Sequence, residues 1–135
     1  DADRAVHVDI EQRAALVPTE REGARNFMHS DDICAIQATT HYTLIYDGRR
    51  EHFSPWSITE AEERLDKTNF MRVHRSHLIA IDKVRALRKS GDGAVVEVGS
   101  LPRIVPVSLN HYAELKSRIS LHLKDRLHGT SQQKV

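Results

Sequence analysis

The chain has 135 residues, of which 39% are hydrophobic and 29% are charged, and its formal net charge is +1. This length supports one domain with a core of its own, and no apolar run approaches the ~20 residues that a membrane-spanning helix needs. The single cysteine, Cys34, excludes an internal disulfide and a cysteine-based zinc finger. Its apolar neighbours indicate a buried, inert thiol.

The small net charge conceals an asymmetry along the chain. Residues 1–66 carry 14 acidic and 7 basic side chains, whereas residues 67–135 carry 5 acidic and 13 basic ones. A basic half of this kind is typical of a surface that faces nucleic acid. It also fits an ordinary solvated surface, because strands from both halves can interleave in space.

The chain begins with a segment that predicts no regular structure. Residues 1–12 mix charges without a clear period, and we interpret them as a linker from an upstream domain. Residues 14–18 and 26–29 then predict two strands, joined by a polar turn at 20–23.

A second hairpin is predicted further along the chain. Residues 33–38 and 41–46 are rich in β-forming side chains and predict two strands. Asp47-Gly48 is a strong signal for a type I′ turn, which would pair residues 42–46 with residues 49–53.

A short helix follows this hairpin. Ser57 and Glu60 have the spacing of a capping box, so we expect Ser57 to cap a helix that runs to about Asp66.

The C-terminal part of the chain predicts a longer helix. It should begin after Ser108, continue to about Leu127 and stop at Gly129, which is a favoured residue just beyond a helix end. Residues 128–135 are predicted to be a disordered tail. The helix would present one apolar face, formed by Tyr112, Leu115, Ile119 and Leu123.

The region between the two helices is again β in character. Residues 84–88 and 94–98 flank a glycine-rich turn at 90–93 and predict a hairpin. Residues 103–107 predict a last strand, and Pro106 places it at the edge of a sheet. The sequence therefore predicts a mostly β fold of about nine or ten short antiparallel strands, with one short helix and a C-terminal helix.

The segment from Asn69 to Lys83 carries the strongest chemical signal. Apolar residues on both sides enclose His74, Arg75, Ser76 and His77, which all donate hydrogen bonds or can be switched to do so. A rigid strand pair that presents such groups at its turn suits an anionic partner.

Catalytic and metal-binding patterns are weak. His74 and His77 have His-x-x-His spacing, but residues three apart on a strand point to opposite faces and cannot hold one ion without a bend. The sequence has no nucleophile elbow, glycine-rich phosphate loop or apolar pair of carboxylates. We therefore expect no enzymatic activity, no metal site and no cofactor in this domain.

The order of the motifs closely resembles that of the LytTR DNA-binding domains, the output modules of many bacterial transcription regulators. The resemblance covers residues 14–123 and is closest to the output domains of carbon monoxide-linked regulators. It implies an elongated antiparallel β fold over residues 13–127 that binds DNA through loops. The matching segments are Asp31-Asp32-Ile33, Thr40-His41-Tyr42-Thr43, Arg72-Val73-His74-Arg75-Ser76-His77, Ser90-Gly91-Asp92-Gly93 and Val105-Pro106-Val107-Ser108.

The resemblance also assigns roles to individual residues. His41 matches the position that reaches into a major groove, and Arg75 matches a polar contact from the next loop. A third contact in the family comes from an arginine at the start of the last helix, where this chain has Leu109 and Asn110. Asn110 can still pair with adenine. The remaining candidates for contacts to DNA are Tyr42, Ser76, Arg72, Arg85, Arg88 and Lys89.

Some of these side chains have structural alternatives. His41 can simply be exposed, Arg75 can form an ion pair with Asp82 or Glu97, and His74 is expected to point inward as a core residue.

The sequence thus predicts a cytoplasmic, sequence-specific double-stranded DNA-binding domain, the output domain of a bacterial transcription regulator. Its expected partners are double-stranded DNA, an upstream sensor domain in the same protein, and a second copy of the chain in a homodimer. The alternative is a protein-interaction or dimerisation module of a signalling protein.

Overall fold

The computed structural model describes residues 15–134, with side chains as far as Lys124. The predicted linker at residues 1–12 lies outside the described residues. The described part confirms the predicted mostly β fold with a short helix and a C-terminal helix. Its strands are β1 (Leu16–Arg21), β2 (Ala24–His29), β3 (Ala35–Ala38), β4 (Thr43–Tyr46), β5 (Glu51–Ser54), β6 (Phe70–His74), β7 (His77–Ala80), β8 (Val84–Ser90), β9 (Gly93–Val98) and β10 (Arg103–Val107). Its helices are α1 (Ile58–Arg64) and α2 (Leu109–Lys134), and two 3-10 turns span Ser30–Asp32 and Ile81–Lys83.

The strands form two antiparallel sheets. The larger sheet has the order β2-β1-β5-β4-β3-β7-β6, and the smaller one has the order β10-β9-β8. The proline-containing strand β10 pairs only with β9 and lies at an edge, as predicted.

The larger sheet buries side chains on both faces because its central strands lie between two layers. One face packs on α1 through Ile36, Ile45 and Leu78, together with Leu65 that follows the helix. The opposite face packs on the smaller sheet and on α2, and the buried side chains there include Ala35, Tyr46, Met71, Ile79, Val96, Val105 and Leu115. Cys34 belongs to this second cluster, and burial raises the pKa of its thiol. Among the described residues, no helix is long and apolar enough to cross a bilayer.

The predicted turn at Asp47-Gly48 is wrong in type and in register. Tyr46 pairs with Glu51, so residues 47–50 form a four-residue loop instead of a two-residue one. The Asp47 carboxylate accepts hydrogen bonds from the N–H groups of Arg49 and Arg50, each at 2.8 Å, and this local bonding favours the wider loop.

Positive φ at both central turn positions, which a type I′ turn requires, occurs instead at the tip of the first hairpin. There Glu22 has φ 53° and Gly23 has φ 78°.

Both helices differ from the prediction at their C-terminal ends. Ser57 caps α1 as predicted, since its Oγ accepts from the Glu60 N–H at 3.0 Å, but the helix ends at Arg64. The backbone of α2 is helical through Gly129 to Lys134, so the predicted stop of the helix at Gly129 is wrong. The disorder expected for residues 128–135 stays a prediction. Glycine inside a helix costs only about 1 kcal/mol relative to alanine, which is too little to end it.

Candidate nucleic-acid interface

Three loops that are distant in sequence lie side by side at one end of the molecule. They are the β3–β4 loop at 39–42, the β6–β7 turn at 75–76, and the β10–α2 junction at 108–110. The Ala38 N–H donates to the Ser76 carbonyl at 2.8 Å, which joins the first loop to the second. The Ser108 N–H donates to the Val73 carbonyl at 2.9 Å, which joins the junction to strand β6. We call this row of loops the loop edge.

The β3–β4 loop presents His41 at an exposed tip. The hydroxyl of Thr39 donates to the Tyr42 carbonyl at 2.8 Å, and the Thr39 N–H donates to the same oxygen at 2.9 Å. The Tyr42 ring, 39% exposed, packs edge-on against Phe53 with 4.9 Å between centroids. These contacts fix both ends of the loop and leave the His41 imidazole accessible. The sequence analysis missed the role of Thr39, although a threonine before a tight turn is a recognisable signal for such a bond.

The β6–β7 turn consists of only Arg75 and Ser76, so His74 faces His77 across the hairpin. Their rings lie 5.2 Å apart, which overturns the prediction that the two side chains point to opposite faces. That prediction treated the segment as one strand, whereas the chain reverses between the two histidines. His74 is half-buried, and its Nδ1 accepts from the Ser76 N–H at 3.1 Å. Burial, with a smaller effect of the neighbouring His74, lowers the pKa of His77.

Arg75 is exposed at this turn, and the ion pairs proposed as its structural alternative do not form. Asp82 instead accepts from the Asn69 amide at 3.0 Å, and Glu97 pairs with Arg88. Within the described residues, the Arg75 guanidinium therefore has no carboxylate partner. It can reach a phosphate without first breaking an ion pair.

Arg72 is a half-buried brace beneath the turn. Its Nη1 donates to Glu62 of α1 at 2.8 Å, and its Nε lies 3.2 Å from each of the carbonyl oxygens of His74 and Arg75. Its Nη2 also donates to the Arg75 carbonyl. The donors of this guanidinium thus face groups of the protein itself.

The β10–α2 junction completes the loop edge. Leu109 and Asn110 are both exposed in the first turn of α2. The tip of the β8–β9 hairpin approaches the same helix, because the Lys89 ammonium lies 5.4 Å from the centroid of the Tyr112 ring. Lys89 therefore stands beside the loop edge and extends it with a positive charge.

The other two basic candidates on β8 are placed less favourably. Arg88 is partly neutralised by its ion pair with Glu97 on the neighbouring strand. Arg85 is exposed but lies four residues before Lys89 in the strand, which corresponds to about 13 Å along β8. The structure therefore brings together His41, Tyr42, Arg75, Ser76, Asn110 and Lys89, and it leaves Arg85 nearer the opposite end.

The loop edge is chemically suited to reading a duplex. It offers a side-chain amide at Asn110, an imidazole at His41 and cations at Arg75 and Lys89, all on backbone that is tied to a sheet or helix. The amide and the imidazole can each donate and accept hydrogen bonds at base edges, whereas the cations suit phosphates. In the described part of the chain, no group of three or more histidine, cysteine or acidic side chains is placed to hold a metal ion.

Comparisons with known proteins point to one family. The model of the LytTr DNA-binding domain matches residues 25–120. The CO-responsive transcriptional regulator RcoM of Rhodospirillum rubrum is 30% identical over 107 residues, which cover 78% of this chain and 45% of that protein. The heme-containing CO-sensing transcriptional regulator RcoM 2 of Paraburkholderia xenovorans is 28% identical over 115 residues, 84% of this chain and 43% of that protein.

More distant relatives agree with these matches. The transcriptional regulatory protein YpdB of Escherichia coli K12 is 27% identical over 92 residues, 67% of this chain and 38% of that protein. The chain spans less than half the length of these curated relatives. A solved LytTr DNA-binding domain from Bacillus cereus shares the fold, with a TM-score of 0.67 and 19% identity over 78% of this chain and 96% of that one.

Proposed function

The chain belongs to the LytTR DNA-binding domain family, and from this premise we propose that it is the sequence-specific DNA-binding output domain of a bacterial transcription regulator. The observation that carries the proposal is the loop edge, where two backbone hydrogen bonds bring together three loops with exposed polar side chains. The relatives are named as transcriptional regulators and exceed this chain in length, which supports an upstream sensor domain and a cytoplasmic location. The proposal includes no enzymatic activity.

Within this function the residues of the loop edge divide into two roles. His41 and Asn110 read base edges, because their side chains combine donors and acceptors whose arrangement can match one base pair and not another. Arg75 and Lys89 bind phosphates, where the contact is electrostatic and independent of sequence. Tyr42 and Ser76 support the reading side chains, through the ring contact with Phe53 and the hydrogen bond with Ala38.

The test is a selection of bound sequences from a pool of random duplexes, followed by titration of the enriched duplex at increasing salt. A DNA-binding output domain should enrich a defined motif, and its affinity should fall linearly on a log–log plot against salt. If no motif is enriched and no salt-sensitive binding is measured, the DNA-binding proposal is wrong and the protein-interaction alternative gains support.

A further inference from the structure

We propose that Arg72 is a positioning residue for DNA recognition: from an anchor on α1 it fixes the Arg75-Ser76 turn, whose Ser76 carbonyl is bonded to the Ala38 N–H at the base of the His41 loop. This inference rests on the proposed function, because it concerns how the same loop edge is kept ready for DNA. Arg72 itself makes no contact with DNA in this proposal.

The geometry of the guanidinium supports this role. A planar fork with several N–H donors can bind a carboxylate at one side and carbonyl oxygens at another. Arg72 does this with Glu62 on one side and with the carbonyls of His74 and Arg75 on the other. The Arg72 side chain is 22% exposed, so most of its surface is shielded from solvent. The two carbonyls belong to the peptide groups on either side of Arg75, and fixing them limits how the Arg75-Ser76 turn can move.

A bulge in strand β6 makes this arrangement possible. The pairing with β7 shifts register between Arg72 and His74, which leaves Val73 between them without a partner in the ladder. The Val73 carbonyl accepts from the Ser108 N–H instead, so the bulge also ties the turn to the junction before α2. A β-bulge redirects side chains locally, and here the Arg72 guanidinium extends beneath the turn that follows it.

The ion pair with Glu62 connects the Arg72 side chain to helix α1. Glu62 lies in a helix whose Ile58 and Ala61 are buried in the core beneath the larger sheet. The carboxylate therefore holds the Arg72 side chain relative to the core as well as to its own strand. Without it, the guanidinium could still contact the carbonyls but would lose the bond that sets its orientation.

The proposal predicts a separation of specific from nonspecific affinity. Arg72→Lys keeps the positive charge but replaces the planar fork with a point-like ammonium, so the turn should lose its defined shape. Because the His41 loop is bonded to this turn, affinity for the selected duplex should fall on the order of tenfold. The long Arg75 side chain can still reach a phosphate from a looser turn, so affinity for random duplex should stay within about twofold of the wild type and the salt slope should not change. A variant that merely lost stability would weaken binding to both duplexes together.

A second pair of variants tests the anchor. Glu62→Gln keeps an oxygen that can accept from Arg72, so it should retain most of the specificity, whereas Glu62→Ala should lose it about as strongly as Arg72→Lys. The matched control is Arg103→Lys, because Arg103 also pairs with a glutamate, Glu51, and packs over the Tyr46 ring 4.1 Å away. That pair lies outside the loop edge, and its replacement should leave the specificity ratio unchanged.

The outcomes separate this inference from the proposed function. If the wild type itself shows no preference for any duplex, the proposed function is wrong, and the proposal for Arg72 fails with it. If the wild type is specific and folded Arg72→Lys and Glu62→Ala are equally specific, the proposal for Arg72 is wrong. Melting curves of every variant show whether it is folded. If Arg72→Lys does not fold, the contrast between Glu62→Gln and Glu62→Ala decides.

Discussion

Replacing Arg75 with alanine should reduce the salt dependence of DNA binding by about one counterion, whereas replacing Arg85 should leave it unchanged. Both arginines are exposed on the β-sheet framework, and neither has a carboxylate partner among the described residues. They differ in position, since Arg75 occupies the loop edge and Arg85 lies about 13 Å along β8 from Lys89. Arg85→Ala is therefore a matched control for the removal of one positive charge.

The size of the effect follows from counterion release. Each phosphate contact to duplex DNA adds about 0.9 to the slope of log affinity against log salt. Between about 50 mM and about 200 mM salt, one such contact accounts for about a 3.5-fold loss of affinity. Arg75→Ala should thus bind more weakly than the wild type at low salt. Between the two salt concentrations its affinity should fall by a factor about 3.5 times smaller than the factor for the wild type.

The measurement is fluorescence anisotropy on a labelled selected duplex and a labelled random duplex at several salt concentrations. Arg75→Ala should lower the slope equally on both, because a phosphate contact carries no sequence information. Lys89→Ala should behave in the same way. If Arg85→Ala lowers the slope as much as Arg75→Ala does, DNA covers the far end of β8 and the loop edge is not the main interface.

Three further predictions concern the reading loop and the stability of the fold. His41→Ala should cost about 1–3 kcal/mol on the selected duplex and little on random duplex, and equal losses on both would contradict its role in base reading. For Asp47, burial raises the pKa, but the N–H of Arg50, the His52 ring and a second backbone N–H outweigh it and lower the pKa to about 2. The ionised carboxylate therefore stabilises the fold above about pH 4, and this stabilisation is lost as the pH falls towards 2. Because Asp47 is partly exposed, Asp47→Asn should lower the free energy of unfolding, measured in urea at pH 7, by only about 1 kcal/mol. Because the pKa of His77 is lowered in the fold, stability should be complete above about pH 6.5 and decline below it; a His77→Gln variant with an unchanged decline would exclude this cause.

Much of the fold could be predicted because local chemistry determines it. Ser57 caps α1 through a bond to a residue three positions away, and Pro106 cannot donate to a neighbouring strand. Signals of this kind require no knowledge of the rest of the chain. The wrong register at Asp47 shows their limit, since the same residue that favours a two-residue turn can also bond the backbone of a wider loop.

The candidate site was predicted less completely, because its arrangement depends on contacts between distant segments. The position of Arg72 is set by Glu62 on a helix, and nothing in the local sequence distinguishes it from the free Arg75. The pairing of Arg88 with Glu97 likewise follows from the register of a hairpin. A sequence can therefore indicate a basic surface, while only the fold shows which cations remain available for phosphates.

Asn110 offers the sharpest test of whether the third loop reads DNA bases, since the family resemblance implies a basic residue at the start of the last helix. An asparagine amide matches the N6 and N7 positions of adenine, whereas an arginine matches O6 and N7 of guanine. Asn110→Arg should therefore shift the preference at one position of the selected motif from adenine to guanine and increase the salt slope on all duplexes. Leu109→Arg is the control. Leu109 is 58% exposed, and an arginine at this position adds the same charge at a different angle around α2. It should increase the salt slope without changing the selected motif. Repeating the selection with both variants decides the matter: if Asn110→Arg enriches the same motif as the wild type, Asn110 does not read a base, and the junction before α2 contributes only to the position of the domain on its site.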